Sequence, residues 1–114
     1  MNPLPRGLVL ARLADLADPC AIVVDIARDG ARHSLILTRN GDAIAAFRNK
    51  CPHAGYPLQR ADGRIAVQEG RYMVCGAHGA SFTLDDGQCA GGPCNGDPLE
   101  RVEIVVREGA VLTS

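Results

Sequence analysis

Apolar and polar residues alternate in short bursts along most of the chain, and turn-forming residues interrupt them roughly every 8 to 12 positions. Residues 8–13 form a first apolar run, ended by Asp15 and Asp18-Pro19. Residues 21–27, with Ile22, Val23, Val24 and Ile26, read as a strand that stops at Asp29-Gly30. Residues 33–38 and 43–47 flank Asn40-Gly41, a strong short-range hairpin signal. Shorter strands are expected at 64–67, 71–74 and 81–84, the last running into Asp85-Asp86-Gly87. Glycines and two prolines fill residues 88–98, which therefore read as loop. Leu99, Val102, Ile104 and Val106 mark a strand over 99–107, which turns at Glu108-Gly109 into a last strand at 110–113. No stretch keeps a 3.6-residue period. The pattern predicts an all-β protein, an antiparallel sandwich or barrel, with one domain over residues 1–114 and no internal repeat or linker.

Composition narrows what this domain does. With two Phe, two Tyr and no Trp, the packing falls to Val, Ile, Leu and Ala. Twelve basic and 13 acidic residues leave a formal charge of −1, and no basic run stands out. That balance argues against nucleic-acid binding. No apolar stretch approaches the length of a membrane span. The amino terminus carries neither a long apolar region nor a twin-arginine pattern. The chain is expected to be cytoplasmic.

The chemistry concentrates in two short strings. Cys51-Pro52-His53 and Cys75-Gly76-Ala77-His78 each put a thiol and an imidazole on a tight turn, with 21 residues between His53 and Cys75. Pro52, Gly55 and Pro57 surround the first pair, and Gly76 and Gly79 the second, so both pairs lie on loops. Two Cys and two His, split evenly, suit a [2Fe–2S] cluster with two thiolates on one iron and two imidazoles on the other. The same four side chains also suit a structural zinc ion in a small interaction module, and a Cys–His nucleophile pair is a third reading.

The strings Cys51-Pro52-His53-Ala54-Gly55 and Cys75-Gly76-Ala77-His78-Gly79-Ala80-Ser81-Phe82 resemble the two cluster-binding loops of Rieske iron–sulfur proteins. The resemblance runs from about residue 8 to the end. It implies that Cys51, His53, Cys75 and His78 bind the irons of one [2Fe–2S] cluster. It also implies that Gly92-Pro93 belongs to a third loop covering that cluster. An all-β base with a cluster-binding subdomain at about 49–98 is implied as well. Gly76 stands where proline is common in the family, and the stretch between the loops is somewhat long; neither departure removes a ligand.

Within that resemblance several absences are informative. Respiratory Rieske proteins join their two loops by a disulfide, but Tyr56 and Ala77 occupy the corresponding positions. They also place a Ser and a Tyr hydroxyl after the second loop. Here Ala80 and Phe82 stand there and donate nothing. Fewer donors stabilise the reduced cluster less, so a low potential is expected. Large Rieske oxygenases add a mononuclear iron held by two His and a carboxylate. With His53 and His78 committed, only His33 remains. The expected function is that of a soluble, monomeric, low-potential Rieske ferredoxin, not itself an enzyme. It would carry one electron from a reductase to a terminal oxygenase. A small subunit bound to a larger reductase, like that of nitrite reductase, is the alternative.

Four residues fall outside this scheme. Cys20 is expected to be a small packed hydrophobe. Cys89 and Cys94 are expected to be reduced thiols without a ligand role. His33 reads as a half-exposed strand residue. The implied docking tip, around Gly55, Tyr56, Ala77, Gly79 and Pro93, is small-featured and uncharged. Tyr56 is its one large side chain and the candidate anchor, and a formal charge of only −1 leads to an expected modest salt dependence of association.

Overall fold

The computed structural model describes residues 4–28, 30–52, 55–94 and 96–114. Strand β1 (Val9–Arg12) is followed by a single turn of 3-10 helix, Leu13–Asp15, and then β2 (Cys20–Arg28), β3 (Ala31–Asn40) and β4 (Ala43–Arg48). Three short strands come next, β5 (Ala66–Gln68), β6 (Tyr72–Val74) and β7 (Ser81–Thr83). The chain ends with β8 (Cys89–Gly91), β9 (Arg101–Val102), β10 (Ile104–Arg107) and β11 (Ala110–Thr113). All pairings are antiparallel, in three sheets ordered β1-β11-β10, β2-β3-β4-β9 and β5-β6-β7-β8. The all-β expectation holds, and no helix among the described residues is long and apolar enough to cross a membrane.

The central sheet is apolar on both faces. Leu35, Ile36 and Leu37 are consecutive in β3, and all three are fully buried. Successive side chains of a strand point to opposite faces. Ile36 accordingly joins Ala21, Ala45 and Phe47 in one core, against Met73 and Phe82 of the β5–β8 sheet. Leu35 and Leu37 join Ala46 and Val102 in a second core, against Leu10 and Val111 of the β1-β11-β10 sheet. A strand covered on both sides reads as an unbroken apolar run, which is why Leu35-Ile36-Leu37 does not alternate. The hydroxyl of buried Thr38 donates to the Leu84 carbonyl at 2.6 Å, tying β3 to the turn after β7.

Three local expectations change. Asn40 pairs with Ala43, so the turning residues are Gly41 and Asp42 rather than Asn40 and Gly41. Gly41 takes the positive φ of 64° at the first turn position. Residues 89–91 are strand β8, not loop, because β7 supplies their backbone partners (Phe82 opposite Cys89, Ser81 opposite Gly91). The single strand expected over 99–107 is two. β9 pairs with β4, whereas β10 pairs with β11, so the chain changes sheets at Glu103.

Candidate functional site

The loops that follow β4 and β6 share one backbone pattern. In the first, the Cys51 N–H donates to the Tyr56 carbonyl at 2.8 Å, and the Gly55 N–H donates to the Cys51 carbonyl at 2.7 Å. In the second, the Cys75 N–H donates to the Ala80 carbonyl at 2.7 Å, and the Gly79 N–H donates to the Cys75 carbonyl at 3.0 Å. Each loop thus closes on its cysteine from positions four and five residues on. Gly55 and Gly79 sit at the same place with φ of 76° and 77°, the left-handed region open to glycine at little cost. This is a structural repeat that the sequence conceals, because its members share only Cys and Gly at matching positions.

The loops are brought against each other. The Gly76 N–H donates to the Leu58 carbonyl at 2.9 Å, linking the second loop to the segment after the first. The rings of Tyr56 and His78 meet edge to face, with centroids 5.6 Å apart. Cys51 and Cys75 are each 1% exposed and belong to one core cluster, whereas His78 is exposed. His53, the fourth residue singled out by the sequence, lies outside the described residues. Among the described residues no three His, Cys, Asp or Glu side chains form a metal-holding group. Gly92 explains how a third segment meets the second loop. A Cβ at that position would lie 2.8 Å from the Gly79 carbonyl oxygen and 2.9 Å from the Ala80 Cα. Only a residue without a side chain allows that approach.

Asn49 is the positioning residue that sequence reasoning missed. It is 8% exposed and spans the base of the first loop. Its Nδ2 donates to Ser34 Oγ at 3.0 Å and to Gln59 Oε1 at 2.7 Å, and its Oδ1 accepts from the Leu58 N–H at 2.8 Å. Its one sequence signal is an amide side chain two residues before Cys51.

Two cysteine expectations and one histidine expectation can be judged. Cys89 and Cys94 are not reduced thiols: they form a disulfide, with Cα atoms 6.0 Å apart. The turn after β8 folds Cys94 back into the core, and that Cα separation suits the bond. Cys20 is buried as expected, and burial pushes its thiol pKa up, which keeps it protonated. His33 is buried rather than half exposed, at 6%. Its Nδ1 lies 2.9 Å from Arg48 Nη1, and because a guanidinium can only donate, the imidazole nitrogen accepts. Beyond the second loop, the Thr83 hydroxyl donates to Asp86, which holds that carboxyl below the usual carboxylate range.

Comparison with known proteins agrees with this architecture. The model of the Rieske [2Fe–2S] domain matches residues 11–106. A comparison with curated protein sequences found no match. Among solved structures, the ferredoxin of carbazole 1,9a-dioxygenase from Nocardioides aromaticivorans superposes with a TM-score of 0.70 at 23% identity, covering 96% of this chain and 98% of that one. A ferredoxin from Sphingomonas yanoikuyae gives 0.71 at 23% identity, covering 95% and 97%. A chain from the complex of reduced oxygenase and oxidised ferredoxin in carbazole 1,9a-dioxygenase gives 0.72 at 27% identity, covering 94% and 91%.

Proposed function

The chain belongs to the Rieske [2Fe–2S] domain family, and from that premise we propose that it is a low-potential Rieske ferredoxin. In this reading it is a monomeric cytoplasmic carrier that takes one electron from a reductase and delivers it to a terminal oxygenase. The observation that carries the proposal is the pair of matching loops, each presenting a buried cysteine. Similarity to a chain from an oxygenase–ferredoxin complex supports the choice of partner.

The residues present fit the cofactor that the family implies. Cys51 and Cys75 offer thiolates from the core side, His78 offers an imidazole at the surface, and His53 completes the two-sulfur, two-nitrogen donor set. When bound, the cluster supplies a centre that takes up and gives back one electron. The chain's part is to hold it dry on the thiolate side and to present the imidazole side outward. Gly92, pressed against Gly79 and Ala80, keeps the covering segment close. Ala80 and Phe82 are both fully buried and bring no hydroxyl to the site, which is why the potential should be low.

Purified protein should contain about two iron and two acid-labile sulfide per chain. Cys51→Ser or Cys75→Ser should lose both. The potential should lie near the bottom of the family range of about −150 to +300 mV. The Ala80→Ser/Phe82→Tyr variant should raise it in protein-film voltammetry. Stoichiometric zinc without iron ends the reading; a downward shift in the double variant ends its low-potential part.

A further inference from the structure

The first loop borders a cleft of about 620 Å³ that the second loop does not reach. One end is formed by Cys51, Pro52 and Gly55; the walls come from the start of β3 and the end of β4. Arg32, Arg48 and Lys50 line it, with Glu100 as the one carboxylate among the described lining residues. Among the described residues, three cations against one anion leave two positive charges in excess, on a chain whose formal charge is −1. The near-neutral total therefore conceals a local asymmetry next to the site.

Two of the three cations are not consumed internally. Among the described residues Arg32 and Lys50 form no ion pair, and both are exposed. Arg48 is held from below by His33, and its buried Nε lies 3.5 Å from Glu100 Oε2, an ion pair rather than a close hydrogen bond. Lys50 also runs alongside the first loop, with its Cε 3.6 Å from where a Gly55 Cβ would lie.

We propose that this cleft is a docking site for acidic side chains on the electron-transfer partner, seated beside the first loop so that the partner's surface meets the exposed imidazole edge. The proposal rests on the carrier reading above and identifies the charge of the partner's surface. An acidic patch offers carboxylates to the exposed cations of Arg32 and Lys50, while Arg48 stays with His33 and Glu100. Charge placed here steers encounter toward the productive face, which net charge alone would not do. It also replaces the expectation of a weakly charged tip, because the charge sits beside the tip rather than on it.

The probe is a fluorescent hexaglutamate peptide titrated into the iron-loaded protein and followed by anisotropy. Binding should be present in about 20 mM NaCl and largely lost in about 300 mM, where the Debye length is shorter than about 8 Å. Arg32→Gln/Lys50→Gln should weaken it about fivefold, the equivalent of two exposed charge contacts. Arg12→Gln/Arg107→Gln removes the same total charge from the β1-β11-β10 sheet and should change it less than about twofold. Equal weakening by both double variants, no binding at low salt, or displacement by inorganic phosphate at constant ionic strength would each overturn the proposal. Iron and sulfide content is measured on the same samples. A chain that lacks both fails as a Rieske carrier, whatever the peptide does.

Discussion

Loops 51–56 and 75–80 share a hydrogen-bond scaffold, yet they are fixed in place by different means. A buried side chain holds the first loop: Asn49 reaches Ser34, Leu58 and Gln59 from beneath it. Backbone proximity holds the second, with Gly76 bonded to Leu58 and Gly92 laid across Gly79 and Ala80. The surroundings differ as well. A cleft with excess positive charge opens beside the first loop, whereas beside the second, Arg60 is already paired with Asp62 at 3.3 Å. The lesson is that equal local geometry can be reached through a side-chain network on one side and through the absence of side chains on the other. The two therefore fail under different mutations.

Gly92→Val should give the largest effect. It puts a β-branched residue at φ 77° and drives its Cβ into backbone that cannot swing aside. The expected loss is about 4 kcal/mol, combining left-handed strain with overpacking. Gly55→Val and Gly79→Val share that φ but meet no close backbone, so each should cost about 2 kcal/mol, and equally. Thermal unfolding of the three variants checks this; unequal losses at Gly55 and Gly79 would break the kinship of the loops.

Next comes Asn49→Ala, which strands the buried Leu58 N–H and removes both donor contacts. About 3 kcal/mol should be lost, on the order of 10 °C in Tm. Amide exchange should quicken at Leu58 and leave Gly79 as it was. If exchange rises equally in both loops, Asn49 supports the whole site and not the first loop alone.

The disulfide should matter no more than Gly55 or Gly79 alone. Cys89→Ser/Cys94→Ser opens a short covalent loop and should cost about 2 kcal/mol. Because Cys94 packs in the same core as Cys51 and Cys75, the loss should show as a lower Tm with the visible spectrum retained. An unchanged Tm, with two free thiols titrating in the wild type, would return these cysteines to the reduced state expected from sequence.

Much of the molecule was legible in the chain because the signals are local. Turn residues such as Asp85-Asp86-Gly87 and Glu108-Gly109 mark their bends through their own backbone preferences. Alternation marked the β10–β11 hairpin, and the Cys, His and Gly spacing marked both loops. The failures share a cause in contacts between distant segments. Residues 89–91 become a strand because β7 lies beside them, and 99–107 divides because β4 and β11 each claim half. His33 is buried because Arg48 caps it.

Sequence by itself determined the all-β class, the family resemblance and the loops that bear the Cys and His residues, since those depend on residue type and short spacing. Tertiary structure alone decided the twin closure of the loops, the role of Asn49, the Cys89–Cys94 bond and the positive cleft. Each of these depends on which residues meet after the sheets pack. Charge shows the difference most simply. A total of −1 is a sum over the chain, but Arg32, Arg48 and Lys50 become one field only when β3, β4 and the first loop converge.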